Sequence, residues 1–589
     1  MRKGHKLVPV LAILFLTGLT SAPAPAENAS KPLGEPVLEV PTLHCLGAYW
    51  VISGDDNKNA KVEVQYRKSG TQDWLKAMDL FRVEKGANKL EKAEGKLKVP
   101  QDAWLFAGSV VLLAPDTEYE LKLKFSDPDG GEAEKLLKSR TIAEPAAPKD
   151  MRELHVVPGE GGGTGTQADP FTGLAAAQAQ AKPGDLFLVH AGVYEGTFTI
   201  EKSGEQGKPI IWRGAGDGEA AIDGKGKAEK RPGRGISACE VNDVWFERLT
   251  IRNADYCIVG HRSARLVVRR CHMHSCDYGL TCTNNDKDAI RQFFISDNVI
   301  EGPCAWPRTK GIENPRGIQV TGAGHVVCYN RVRGFADAID AFPSQRCEAI
   351  DFHNNDVSEL TDDGFEMDYS ERNTRCFHNR LTNVFQGIST QPVYGGPVYI
   401  FRNVMYNVEL EPFKLHNSPS GALMFHNTCV KKGMPLILQT NEKVRNCVFR
   451  NNLFIGGPTN YAYETTASMQ DCDFDYDGFG GGPWKMFLKW NNVRYATLDE
   501  VKAKAPVYKN AVLVDPATAF ASGIKQPADE KTQFDIKVND LRLKEGSAAI
   551  DAGQVLPGFN DGFKGKTPDL GAYELGDELP HYGPRPEKK

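Results

Sequence analysis

The sequence predicts an all-β protein, a right-handed parallel β-helix solenoid preceded by a small β-sandwich. Three observations predict it. The 589-residue chain carries 58 Gly and many Asn, the punctuation of turn-rich β structure. Asn330, Asn354, Asn379, Asn403, Asn427 and Asn451 recur at spacings of 24, 25, 24, 24 and 24 residues. Two residues ahead of each stands Cys328, Phe352, Phe377, Phe401, Phe425 or Phe449. A fixed period of this length marks a solenoid, in which each repeat is one turn of a coil. The Phe column is expected to stack inside. The Asn column is expected at a bend, with amides bonding from rung to rung and satisfying the turn backbone.

The elements follow in order. Residues 1–26 read as a signal peptide. Arg2, Lys3 and Lys6 precede an apolar run from Leu7 to Leu19 that is too short to span a membrane, and Ala24-Pro25-Ala26 offers small residues for cleavage before Glu27. The mature protein is therefore expected to be secreted, periplasmic or on the cell surface. No later segment is apolar enough to cross a bilayer. A net charge of −5 without a long basic run excludes a nucleic-acid partner, and a monomer is expected. Export permits disulfides, but thirteen cysteines is an odd number and no CxxC pair points to zinc. Cys271, Cys276 and Cys282 are close enough for a local bridge. Elsewhere cysteine reads as buried apolar filler.

Residues 34–146 alternate apolar and polar positions in short runs around Trp50, Val62 to Tyr66 and Tyr119 to Phe125, as sandwich strands do. The linker is Glu144-Pro-Ala-Ala-Pro148. The β-helix is assigned to 152–577. Its entry, through Asp169-Pro170-Phe171, a small-residue helix from Leu174 to Ala181 and Pro183-Gly184-Asp185, reads as a cap over the open end of the stack. Weaker repeats run back through Asn298, Cys271 and Arg248. The 32 residues from Asn298 to Asn330 imply an inserted loop around Pro303 to Pro315. After about 457 the rhythm fails. Asp473-x-Asp475-x-Asp477-Gly478 begins like a calcium loop, but Trp484 stands where the bidentate Glu is required, so an EF-hand is not expected.

A second strand in each rung aligns Ile318, Ile339, Phe365, Ile388 and Phe413. If these point in, their neighbours point out. One outer column then reads Gln319, Asp340, Glu366, Ser389, Lys414. The next reads Thr321, Phe342, Asp368, Gln391, His416. A third, just ahead of the strands, reads Arg316, Asp337, Asp363, Gln386, Glu411. Rungs lie roughly 4.8 Å apart, so Asp337, Asp340, Asp362, Asp363, Glu366 and Asp368 would crowd together. Such crowding raises carboxylate pKa values or calls for a cation.

Two chemistries fit the strip, both on a polysaccharide. Paired carboxylates among Asp337, Asp362, Asp363 and Glu366 could hydrolyse a glycosidic bond without a cofactor, with Arg316, Gln319, Asp340, Asp368, Gln391, Lys414 and His416 binding sugar. Alternatively, Asp337, Asp340, Asp363 and Glu366 could hold Ca²⁺ against a uronate while Lys414 or Arg316 removes the neighbouring proton, the reaction of a lyase or epimerase. A third reading is a non-catalytic, carbohydrate-binding or adhesive β-helix. His353, His378 and His426 fall on an outer face by period alone and are not expected to be catalytic. Trp306 and Tyr394 are candidate sugar-stacking aromatics, and Tyr394-Gly-Gly-Pro397 a candidate groove wall.

Resemblances to known families sit on these residues. Leu113-Ala-Pro-Asp-Thr-Glu-Tyr119-Glu-Leu-Lys-Leu123, with Trp50, resembles the fibronectin type III signature. Residues 543–553 and 569–573 resemble the closing segment of bacterial β-helix proteins. The strip resembles polygalacturonase-type glycoside hydrolases, of pectin lyase-like fold, which carry NTD, DD, GHG and RIK on successive rungs. Here Asp337 to Asp340, Asp362-Asp363, Gln386-Gly387 and Lys414-Leu-His416 stand at those places. The resemblance implies Asp362 as general acid, Asp337 and Asp363 as activators of water, and Lys414 and His416 as sugar ligands. The letters depart: Phe335 and Ala336 replace the Asn and Thr of NTD, and Gln386 replaces the GHG histidine. Glu366 and Asp368 resemble instead the Glu-x-Glu calcium strand of chondroitinase B and alginate lyases. That family's downstream Lys is missing, and Arg372 is only nearby.

Overall fold

The computed structural model describes residues 28–85, 99–226, 233–283, 291–341, 347–536 and 540–587. The proposed leader, and Phe342 of the second outer column, lie outside them. No described helix is long and apolar enough to cross a membrane.

Alternating burial along Lys61–Lys68 puts Val62, Val64 and Tyr66 on one face of a four-stranded antiparallel sheet with Glu118–Ser126 and Glu132–Arg140. A second antiparallel sheet centres on Leu46–Ser53 and Ala103–Val110. Trp50 and Phe106 from the latter meet Leu121 and Phe125 from the former in one core, so the two sheets form a sandwich.

The coil is a right-handed parallel β-helix of about eleven turns, running from about residue 186 to 489. Leu174–Gln180 is the expected capping helix, with Leu174 and Ala177 buried. The cores of successive rungs merge into one cluster, in which Phe365, Ile388 and Phe413 point inward as their spacing predicts.

The Asn ladder exists, with a corrected membership. Asn298, Asn330, Asn355, Asn379, Asn403, Asn427 and Asn452 form it, and Asp477 ends it. Each side-chain oxygen accepts from both the backbone N–H and the amide of the preceding member, at 2.8–3.1 Å. Asn354 and Asn451, chosen on a 24-residue period, are one residue early. Both take left-handed backbone and bond instead to the C-terminal segment, at His581 and Gln554. The rungs from 330 to 355 and from 427 to 452 are 25 residues long, and a one-residue shift moves a side chain to the other face.

The same slip divides the Phe column. Val327, Phe352, Cys376, Ile400, Met424 and Phe449 are in register inside the coil. Cys328, His353, Phe377, Phe401, Phe425 and Arg450 are in register on the outside. Phe377, Phe401 and Phe425 are nonetheless buried, because the sandwich and the tail cover them through Cys45, Val111 and Phe559. His353 and His426 lie under the same cover, His426 bonded to Asn451 and Asn560. Arg375 is fully buried at this contact, paired with Asp351 and donating to Ser109 Oγ of the sandwich at 3.0 Å.

Two further expectations are corrected. The rhythm does not fail at 457, since Asp473–Asp475 and Gly478–Gly480 continue the two sheets. The three Asp of that segment diverge: Asp473 pairs with Arg450, Asp475 accepts from Asn510 and Asp477 closes the ladder. None of the thirteen cysteines is in a disulfide, and Cys271, Cys276 and Cys282 face the core rather than each other. The tail runs back along the outside of the coil, as far as an ion pair between Glu587 and Arg248.

The ladder makes a measurable demand. Asn403→Ala strands the buried N–H and amide of Asn379, and should cost about 3 kcal/mol in urea unfolding. Asn354→Gly keeps its left-handed backbone and should cost about 1 kcal/mol. Equal losses would contradict the assigned membership.

Candidate functional site

The site lies where each rung turns into the strand carrying Ile318, Ile339 and Phe365. Two consecutive residues there, Ala338 and Ile339 for example, both face the core, so the flanking Asp337 and Asp340 both project outward. The first inward position must be small. A Cβ on Gly317 would lie 2.3 Å from Val332 and 2.5 Å from the Ala338 carbonyl, and one on Gly364 would lie 2.4 Å from Leu381. This bend brings the first and third outer columns to one surface.

Pairing verifies the column Gln319, Asp340, Glu366, Ser389, Lys414. In the other column Arg316 opposes Asp337, and Asp363 opposes Gln386. The rung from 355 to 366 carries one extra residue, and its register shifts between Leu360 and Asp363. Asp362 and Asp363 therefore share the space opposite Asp337. Such a bulge re-aims side chains. Asp363 is fully buried and Asp362 keeps 17% of its side chain open.

Two cations organise the carboxylates. Arg316 pairs with Asp337, with Asp340 at 3.3 Å and with Glu366 at 3.1 Å. Lys414 donates to Asp363 at 2.7 Å. Asp337 also accepts from the Asp363 N–H at 3.0 Å, which ties the two rungs together. Gln319 donates to Asp340 at 3.3 Å. Asp368 is buried, accepting from Ser389 Oγ at 2.8 Å and the Gln391 N–H at 2.6 Å, with the Lys414 charge also acting on it. At the far rim His416 lies 3.1 Å from Glu411. Asp363 Oδ1, Gln386 Oε1 and Gln391 Oε1 are buried acceptors with no hydrogen-bond partner among the described residues.

Burial raises the Asp337 carboxyl to about 6, with Arg316 opposing and Asp362 adding to the rise. Burial likewise raises Asp363 and Glu366 well above the ordinary carboxylate range, and Asp368 to about 7. Burial works against the charge on Arg316 and Lys414, but the surrounding carboxylates outweigh it and hold both above their ordinary values. The crowded set thus keeps a proton near neutrality while its cations stay charged.

The carboxylate oxygens of Asp337, Asp362 and Asp363 lie within 4.8 Å of one another, close enough to hold a metal ion. The calcium set expected from the sequence shares Asp337 and Asp363 with this cluster, and its other two members, Asp340 and Glu366, pair with Arg316 as Asp337 does. Arg372 is elsewhere, buried against Glu39 of the sandwich and Glu348. Trp306 is buried rather than presented to the groove, and Tyr394 stands 6.1 Å from Tyr369.

Sequence reasoning missed Arg308. The predicted inserted loop carries it across the site, 4.2 Å over the Phe385 ring and 3.7 Å from Asp362. A loop residue outside the repeat leaves no periodic signal. The 32-residue gap was the available clue.

No family model matches the chain. Pectate lyase L of Dickeya chrysanthemi is 23% identical over 460 residues, covering 72% of this chain and 90% of that protein. A family 28 exopolygalacturonase structure from Yersinia enterocolitica aligns with 74% of this chain and 96% of its own, at 14% identity and a TM-score of 0.32.

The raised carboxyls set a pH dependence. A carboxyl whose folded pKa exceeds its unfolded value stabilises the fold at low pH and loses that contribution as pH rises through the folded value. For Asp368 that window runs from about 4 to about 7. Asp368→Asn should flatten the fall in melting temperature across this window. An unchanged slope would count against the buried, protonated Asp368.

Proposed function

We propose that the protein is an exported polysaccharide-degrading enzyme, acting as a glycoside hydrolase on a pectin-type chain. The observation that carries this reading is the bulge, where three carboxylates meet within 4.8 Å in three different settings. Asp362 opens to the groove and serves as general acid toward the glycosidic oxygen. Asp337 and Asp363, deeper and held by Arg316 and Lys414, activate water. Crowding lets the set retain the proton that the leaving group needs. Glu366 shares the Arg316 guanidinium and tunes it. The unpartnered acceptors on Asp363, Gln386 and Gln391 suit the hydroxyl donors of a sugar. Lys414 and Arg308 serve as cations for an acidic sugar, with His416 beside Glu411 at the rim.

A calcium-dependent lyase or epimerase is the second reading. The cluster of Asp337, Asp362 and Asp363 favours it, as does the name of the Dickeya relative. Those residues would hold the ion, which would neutralise a uronate carboxylate. The difficulty is the base: Lys414 and Arg316 are held protonated, the opposite of what proton abstraction requires.

The products decide. On polygalacturonate the hydrolase reading expects new reducing ends without ultraviolet absorbance from an unsaturated uronide, and no loss of activity with a calcium chelator. Ultraviolet-absorbing products would establish the lyase instead. Asp362→Asn and Asp363→Asn should each lower kcat about 10²–10⁴-fold with little change in melting temperature. Full activity in both variants would remove the site assignment.

A further inference from the structure

The outer column that ends at the carboxylates continues toward the N-terminal end of the coil in a different chemistry. In register with Arg316 and Asp337 stand Tyr278 and then Tyr256. Their rings stack with centroids 4.5 Å apart and planes 20° from parallel. Both are partly exposed. Asn314, from the same inserted loop that carries Arg308, donates to the Tyr278 oxygen at 3.0 Å. That bond orients the phenol and leaves its own proton to donate. Beside the pair runs a neutral polar column, in which Thr281 donates to Gln319 at 3.3 Å, and Gln319 in turn reaches Asp340. Phenol, amide and hydroxyl groups therefore lead without a break from this strip into the carboxylates.

We propose that Tyr256 and Tyr278 form a sugar-binding strip that holds units of the same polysaccharide chain two and three rungs from the bond cleaved. This rests on the glycan-degrading reading above and adds an orientation to it, with the chain lying along the coil axis. Rungs rise roughly 4.8 Å, close to the length of one pyranose. Tyr278 is two rungs from Asp337 and Tyr256 is three, so each phenol meets a separate sugar. Recognition there is through hydroxyl hydrogen bonds and C–H contact with ring edges. Cations flank the pair, Arg234 in register with Tyr256 and Arg316 in register with Tyr278.

The test uses the full chain with galacturonate oligomers of three to eight units as probes. In Tyr256→Ala/Tyr278→Ala, KM should rise about tenfold for six-unit and longer chains and less than twofold for trimers, with kcat nearly constant. Tyr256→Phe/Tyr278→Phe, which keeps the stack, should show a smaller rise and separates lost hydroxyls from lost folding. The same pair of substitutions on Asp363→Asn should weaken calorimetric binding of the long oligomers alone. Equal effects at every chain length, or a fall in melting temperature with KM unmoved, would show a merely structural stack and overturn the strip. Absence of binding by Asp363→Asn to any oligomer would overturn the glycan reading itself, and the strip with it.

Discussion

Everything in this molecule depends on the register of its rungs, and the buried Asn ladder sets that register. At each ladder position a turn folds the backbone inward, where water cannot satisfy it. One amide side chain there accepts two hydrogen bonds from the rung before and donates to the rung after. A shift by one residue would leave several buried groups unpaired in every turn, each costing about 1–3 kcal/mol. The ladder therefore tolerates rungs of 24, 25 or 32 residues only by taking up the difference elsewhere, in outward loops or in a bulge.

The bulge at Asp362 and Asp363 is such an adjustment, placed where it serves chemistry. One extra residue sets two carboxylates against one and brings the Asp363 N–H onto Asp337. Desolvating this many acidic groups is costly, and the structure offsets it with two cations that are themselves largely buried. The compensation is unequal. Arg316 serves three carboxylates, Lys414 serves Asp363, and Asp368 has only neutral donors. Asp362 is the member of the bulge whose side chain stays partly open to solvent.

The rest of the chain clears that groove by covering other faces. The sandwich lies over Phe377, Phe401 and Phe425, and the tail bonds to Asn354 and Asn451, which lie outside the ladder. An aromatic column that would otherwise be an exposed apolar patch becomes a domain interface, sealed by the fully buried Arg375.

The sequence by itself determined the solenoid, the direction in which Ile318, Ile339 and Phe365 point, and the strip of carboxylates that results, because a two-residue alternation repeated on a regular period is a local, additive signal. It also located the inserted loop from a gap in that period. It could not tell Asn354 from Asn355, or Phe352 from Phe377, because neighbouring Asn residues and a 25-residue rung give the same letters in two registers. Only the tertiary structure decided which member of each pair faces inward, since that depends on hydrogen bonds between rungs far apart in the chain. It alone brought Arg308 over Asp362, turned Arg316 onto three acids and gave Arg372 to the sandwich. Ion pairs of that kind are settled by where loops and domains come to rest, and no period in the sequence carries them.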